Sequence, residues 1–221
     1  MRRLRSVLMA LSILATPGFC LAADSAAVTP PLEILKQANQ SLQRFVLENG
    51  MVCLVKEDRS APVVAIQIWV GTGAIHEGPW LGAGLSHFVE HMIFKGTPTR
   101  APGEISKQIG DAGGDINAYT AQDRTVFHAT LPAKNWKVGV DILADAVMNA
   151  SFPEDEWKRE QEVILREFAM GKDSPERELG KLFWETAYRV HPYKYPVIGY
   201  EDIFKTSTRD DLATFFKNNY T

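Results

Sequence analysis

The chain has 221 residues, 45% of them hydrophobic and 23% charged, which suits one or two soluble globular domains with a sizeable core. Its formal net charge of −3 offers no electrostatic case for nucleic acid as a partner. Two cysteines, Cys20 and Cys53, exclude a fold held by a disulfide framework.

The first residues, "MRRLRSVLMALSILATPGFCLAADS", place three arginines before an apolar run and small residues around Ala22. This is the pattern of a secretory signal, expected over residues 1–22, and it implies an exported, periplasmic protein. The run is short for a membrane span, so no membrane anchor is expected after signal removal. Cleavage takes the charge from −3 to −6 and removes Cys20. Cys53, in the apolar run "MVCLV", is then expected as a buried small hydrophobe.

Residues 23–42, with adjacent prolines Pro30 and Pro31, read as a lead-in. "RFVLENGMVCLVKED" predicts two short strands about Asn49-Gly50, a hairpin turn signal. "APVVAIQIWVGTGA" predicts a further strand in a sheet covered on at least one face. Gly71, Gly73 and Gly78 mark a loop into a helix carrying "GLSHFVEHMIFKGT". A helix near 103–112 ends at Gly113-Gly114, and "DINAYTAQ" and "RTVFHATLP" predict two more strands. Helices follow over 135–149, 153–171, 174–189 and 209–218. Pro153 suits a first helical turn, Glu154 to Glu156 complement the helix dipole, and Thr208 with Asp211 suggests a capping box. Strands first and helices after, without strict alternation, predict an α+β fold.

Five histidines occur in the chain, and His87 and His91 stand four apart with Glu90 between them. At about 100° per residue, His87, Glu90 and His91 share one side of a helix while Leu85, Phe88, Val89, Met92 and Ile93 share the other. Two imidazoles can therefore point at one ion; a polar face in water would give the same spacing. A metal held by two histidines needs a third protein ligand. In "DEWKREQEVILREF", Glu160 and Glu167 are seven apart, on one face, flanked by Val163, Trp157, Ile164 and Phe168. Carboxylates inside an apolar arc require a cation, either a metal held by the histidines or an interior arginine. Glu162 points away with Arg159 and Arg166, as a surface acid does.

H-x-x-E-H is the inverted zinc-peptidase motif. Together with "GGDINAYTAQDRTVFHATLP" and "KREQEVILREF", it makes residues 43–221 resemble the pitrilysin/insulysin/mitochondrial-processing-peptidase family. The resemblance implies a mostly antiparallel sheet packed against helices, the first domain of a pitrilysin-type clamshell. It implies one Zn²⁺ per chain bound by His87, His91 and Glu167, which lies 76 residues after His91. Glu90 matches the catalytic base and Glu160 the second acid supporting the site. Asn117 and Ala118, in "INAYT", match the edge strand that binds substrate, and an exposed strand edge can take an extended peptide as another strand. The implied activity is that of a zinc endopeptidase hydrolysing extended, unfolded peptides with a metal-bound water and a glutamate base. The family also contains catalytically silent peptide-binding or scaffold subunits. His76, His128 and His191 are expected to be structural or exposed, and "HPYKYPVIGYEDI" to pack rather than catalyse. Family members pair this domain with a second half that supplies an arginine and a tyrosine to substrate, so a second half-domain or partner subunit is expected. The sequence stops at "FFKNNYT", where the family continues into another strand, so an incomplete first domain is expected.

Overall fold

The computed structural model describes residues 42–220, so the expected signal and almost all of the lead-in lie outside the described residues. No described helix is long and apolar enough to cross a membrane. Two compact units divide near Arg59 and Ser60. The first is the expected hairpin, β1 (Leu42–Val46) antiparallel to β2 (Val52–Lys56), with Val46 opposite Val52. Its reversal spans 47–51 rather than two residues: the amide of Gly50 donates to Leu47 O at 2.9 Å, and Asn49 Oδ1 accepts from the amide of Met51 at 3.1 Å. Gly50 takes φ +88°, a conformation that glycine adopts without strain. Cys53 is half-buried rather than buried, because a two-stranded ribbon has no second layer of its own to cover it.

The second unit is built on a three-stranded antiparallel sheet of β3 (Val63–Val70), β4 (Asp115–Thr120) and β5 (Thr125–Pro132), with β5 in the centre. Along β3, Val64, Ile66, Ile68 and Val70 pack against the core while Gln67 and Trp69 face outward, so one face of the sheet is covered. Central β5 buries Val126, Phe127, Ala129 and Leu131.

The covering elements are α1 (Leu85–Met92), α2 (Glu104–Asp111), α3 (Trp136–Asn149) and α4 (Glu154–Lys172). They continue with α5 (Pro175–Ala187), the single turn α6 (Glu201–Phe204) and α7 (Arg209–Asn219). Helix α3 approaches the sheet at Gly139, where an added Cβ would stand 2.7 Å from Ile66 and 2.8 Å from Leu131. Asp145 on α3 accepts from Thr97 at 2.7 Å and from Thr99 at 3.0 Å and pairs with Arg100, tying the segment after α1 down.

The apolar stripe of α1 is fully buried at Leu85, Phe88, Val89 and Met92. Phe88 stacks on Trp157 of α4 with ring centroids 4.2 Å apart, and Phe204 packs at 5.3 Å from Phe88 and 5.6 Å from Phe168. This aromatic cluster fixes α1 against α4. Pro153 lies just outside α4, with ψ 140°, rather than inside its first turn. The capping box at Thr208 and Asp211 forms as expected, with Thr208 N donating to Asp211 at 2.8 Å.

Candidate metal centre

Helix α1 begins at Gly84, whose φ of +73° is left-handed and where an added Cβ would stand 2.1 Å from Ile198 O. A glycine cannot cap the helix with a side chain, and Glu77 does so from the preceding loop. Its Oε2 accepts from the amide of Gly84 and its Oε1 from that of Ser86, each at 3.0 Å. Glu77 is 1% exposed. Burial pushes its carboxyl up to about 7, against the opposing pull of these amide hydrogen bonds.

One turn further on, His87 Nε2 and His91 Nε2 stand 3.3 Å apart. Glu167 of α4 brings Oε2 to 3.7 Å from His87 Nε2 and Oε1 to 3.7 Å from His91 Nε2. One ligand atom from each of the three lies within 4.8 Å of the others, the sole such cluster of histidine, cysteine and acid side chains among the described residues. Ligand atoms about 2.0–2.2 Å from a tetrahedral zinc stand roughly 3.3–3.6 Å apart. Two imidazole nitrogens and a carboxylate at these separations fit that ion in number, type and spacing. No lysine or arginine among the described residues pairs with Glu167, which faces the two imidazoles alone.

The two rings are held differently. His91 Nδ1 meets Glu160 Oε2 at 3.0 Å; a carboxylate accepts, so Nδ1 carries the proton and Nε2 is left with its lone pair. His87 Nδ1 is buried and meets no hydrogen-bond partner among the described residues. Burial, with the neighbouring His91 adding to it, drives His87 down to about 3, so its ring is neutral at physiological pH. Burial also disfavours charge on His91, but the hydrogen bond to Glu160 and the charges of Glu167 and Glu90 outweigh it and raise its pKa.

Glu90 shares this face. Its Oε2 accepts from Thr120 Oγ1 of β4 at 2.6 Å. Burial raises the Glu90 carboxyl above its ordinary value, with the Thr120 hydrogen bond opposing. Glu160, with its side chain 10% exposed, sits below its ordinary value although burial pulls the other way. The hydrogen bonds from His91 and Lys95 together win, the Lys95 ammonium standing 2.6 Å from Oε1.

The structure thus gathers His87, Glu90, His91, Glu160 and Glu167, and the shared face of α1 is largely enclosed rather than solvated. The cation beside Glu160 is a lysine rather than an arginine. Glu162 is exposed, as expected. Asn117 and Ala118 lie on β4, which forms one edge of its sheet, and Asn117 Oδ1 accepts from the amide of Ala118 at 2.8 Å. The open cavity before the donors takes Tyr119 and Thr120 from this strand, and its far wall includes Pro196 to Tyr200, so "HPYKYPVIGYEDI" borders the site as well as packing. His76 and His191 accept backbone amide hydrogens, from Gly73 and Tyr193, and neither joins the donor cluster; nor does His128. Sequence reasoning missed Glu77, Lys95 and Thr120. Lys95 carried a signal, since it follows His91 by four residues in the same quoted stretch.

A sheet with helices over one face, and an inverted histidine–glutamate motif facing a third acid from a distant helix, define the zinc-peptidase class. The chain belongs to the insulinase family, peptidase family M16, whose model matches residues 52–201. It is similar to YmxG of Bacillus subtilis, described as an uncharacterized zinc protease, at 33% identity over 180 residues, covering 81% of this chain and 44% of that protein. Among solved structures, a protease from Helicobacter pylori matches with TM-score 0.76 and 27% identity, over 81% of this chain and 43% of that one. The periplasmic protease PqqL of Escherichia coli matches with TM-score 0.74 and 26% identity, over 82% of this chain and 21% of that one. The chain spans less than half the length of these curated and solved relatives.

Proposed function

We propose that this chain carries the zinc-binding half of an endopeptidase. The observation supporting it is the convergence of His87, His91 and Glu167, from two helices far apart in sequence, with all three donor atoms within 4.8 Å. His87 and His91 offer Nε2, and Glu167 offers a carboxylate oxygen, to one zinc per chain. Bound zinc lowers the pKa of a water and polarises a carbonyl oxygen.

Glu90 is the base. Thr120 holds its carboxylate in place to take a proton from the attacking water. The water oxygen bonds to the scissile carbonyl carbon, the C–N bond breaks, and Glu90 returns the proton to the leaving amine. Glu160 orients His91 from behind. The substrate is an extended peptide laid along the free edge of β4, with Asn117 and Ala118 as its contacts, and Asn117 Oδ1 must release the Ala118 amide for that edge to pair. Residues 43–221 supply the zinc-bearing part of the first half of a clamshell, which a second half on the same chain or a partner completes. An N-terminal signal over residues 1–22 sends it to the periplasm, in keeping with the arginine-led apolar run.

The test is hydrolysis of an internally quenched, unstructured peptide by the full-length protein. Activity abolished by a chelator and restored by zinc is expected. Zinc bound at one per chain without hydrolysis would leave a scaffold subunit, and no zinc uptake at all would end the proposal.

A further inference from the structure

Lys95 lies beyond the C-terminal end of α1, where its amide donates to Met92 O at 3.0 Å. Its side chain turns back toward α4 and places Nζ 2.6 Å from Glu160 Oε1. The other oxygen of the same carboxylate, Oε2, receives His91 Nδ1 at 3.0 Å. The two oxygens are therefore divided between an ammonium and an imidazole, and the far nitrogen of that imidazole is one of the three clustered donors.

We infer that Lys95 is a positioning residue for the metal centre: by holding Glu160 Oε1 it fixes the carboxylate plane, and through Oε2 the ring plane of His91. Glu160 stands on α4 between buried Trp157 and Ile164, and its carboxylate is held by His91 and Lys95. Without the ammonium its carboxylate can rotate about the terminal side-chain torsion, which is soft for glutamate. His91 would follow, because the Glu160 oxygen is the sole partner given to Nδ1 among the described residues. His87 cannot compensate, since its own Nδ1 has no partner among the described residues. Among the described residues, one alone of the two rings has a support behind it, and that support begins at Lys95.

The inference rests on the zinc reading above, and zinc affinity separates the two. Zinc binding is measured by competition with a chromogenic chelator on the full-length chain, alongside thermal unfolding of the zinc-free protein. Outer-shell partners of metal-ligating histidines are worth about 10–100-fold in affinity, so Lys95→Met, which keeps the apolar stem, should weaken zinc by that order. Lys95→Arg should recover most of the loss. Because Lys95 acts through Glu160, the double variant Lys95→Met/Glu160→Gln should bind zinc no more weakly than Glu160→Gln alone. Wild-type zinc affinity in a folded Lys95→Met variant overturns the inference, and so does additivity in the double variant. If Lys95→Met unfolds, the inference also falls, because the side chain would then serve the fold rather than the site. Failure of the wild-type chain to bind zinc sinks the underlying reading instead.

Discussion

Two buried glutamates flank α1, and the protein treats their charges in opposite ways. Glu77, at the N-terminal end, meets backbone amides, those of Gly84 and Ser86. Glu160, beside the C-terminal end, meets a lysine and a histidine. Accordingly burial dominates at Glu77 and carries its carboxyl up to about 7, while at Glu160 the hydrogen bonds dominate and hold it below its ordinary value. Amide dipoles at a helix start favour a negative charge but do not fully replace water around a carboxylate. A lysine and a polarised imidazole come closer to doing so. The difference separates roles: the Glu77 contacts end in the backbone of the helix, whereas the Glu160 contacts continue to His91, a donor of the candidate metal centre.

The sharpest way to set the site apart from its supports is to remove Glu90, the acid proposed as the base. Glu90→Gln keeps size and the Thr120 contact but cannot accept a proton. Peptide hydrolysis should fall by about 10²–10⁴-fold, the usual worth of a general base, while zinc affinity stays near wild type. Parallel loss of zinc would place Glu90 among the ligands. Glu160→Gln comes next: its hydrogen bond to His91 loses the charge, and zinc affinity should drop by about 10–100-fold in the same chelator competition. If Glu160→Gln lowered the melting temperature strongly yet left zinc binding intact, the division of roles drawn above would be reversed.

Glu77→Gln tests the other side, and its sign follows from the direction of the shift. The folded-state pKa of about 7 lies above the ordinary value of 4.5, so the folded protein holds this proton more readily than the unfolded chain. The stability contributed by Glu77 is complete below about pH 4.5 and is lost as pH rises through 7. Glutamine cannot ionise and cannot accept both amides, so the variant should be less stable at acid pH by the cost of an unsatisfied buried donor, about 1–3 kcal/mol. That deficit should shrink steadily from pH 4.5 to above pH 7 in thermal or denaturant unfolding. A constant deficit across that window means that Glu77 does not titrate within it.

How much of this was legible follows from what periodicity records. The helical wheel brought His87, Glu90 and His91 together, and the spacing of seven brought Glu160 above Glu167, because both are relations within one helix. That the two faces meet was an inference from the chemistry of carboxylates inside an apolar arc, and the aromatic packing of Phe88 on Trp157 is what makes them meet. Glu77 left no signal, since it reaches α1 from a loop of short turns with no periodicity to read. Thr120 looked like any strand residue; its hydroxyl matters because β4 lies across the polar face of α1, which depends on a crossing between elements. Cys53 departs from expectation for a related reason: an apolar run predicts core, and an apolar strand becomes core when another layer covers it.

The smallest expected effect supplies the control. Glu162 lies on the same helix as Glu160, two residues on, and its side chain is 75% exposed, with Arg166 at 4.0 Å. A pair so open to water contributes little, so Glu162→Gln should shift stability by no more than about 0.5 kcal/mol and leave zinc affinity unchanged. Set against Glu160→Gln, it compares two identical chemical changes on one helix about 200° apart. If both variants lost zinc alike, the loss would reflect the net charge of α4 acting at a distance. A loss confined to position 160 would mean that the carboxylate works through its contacts with Lys95 and His91, because the charge removed is the same in both.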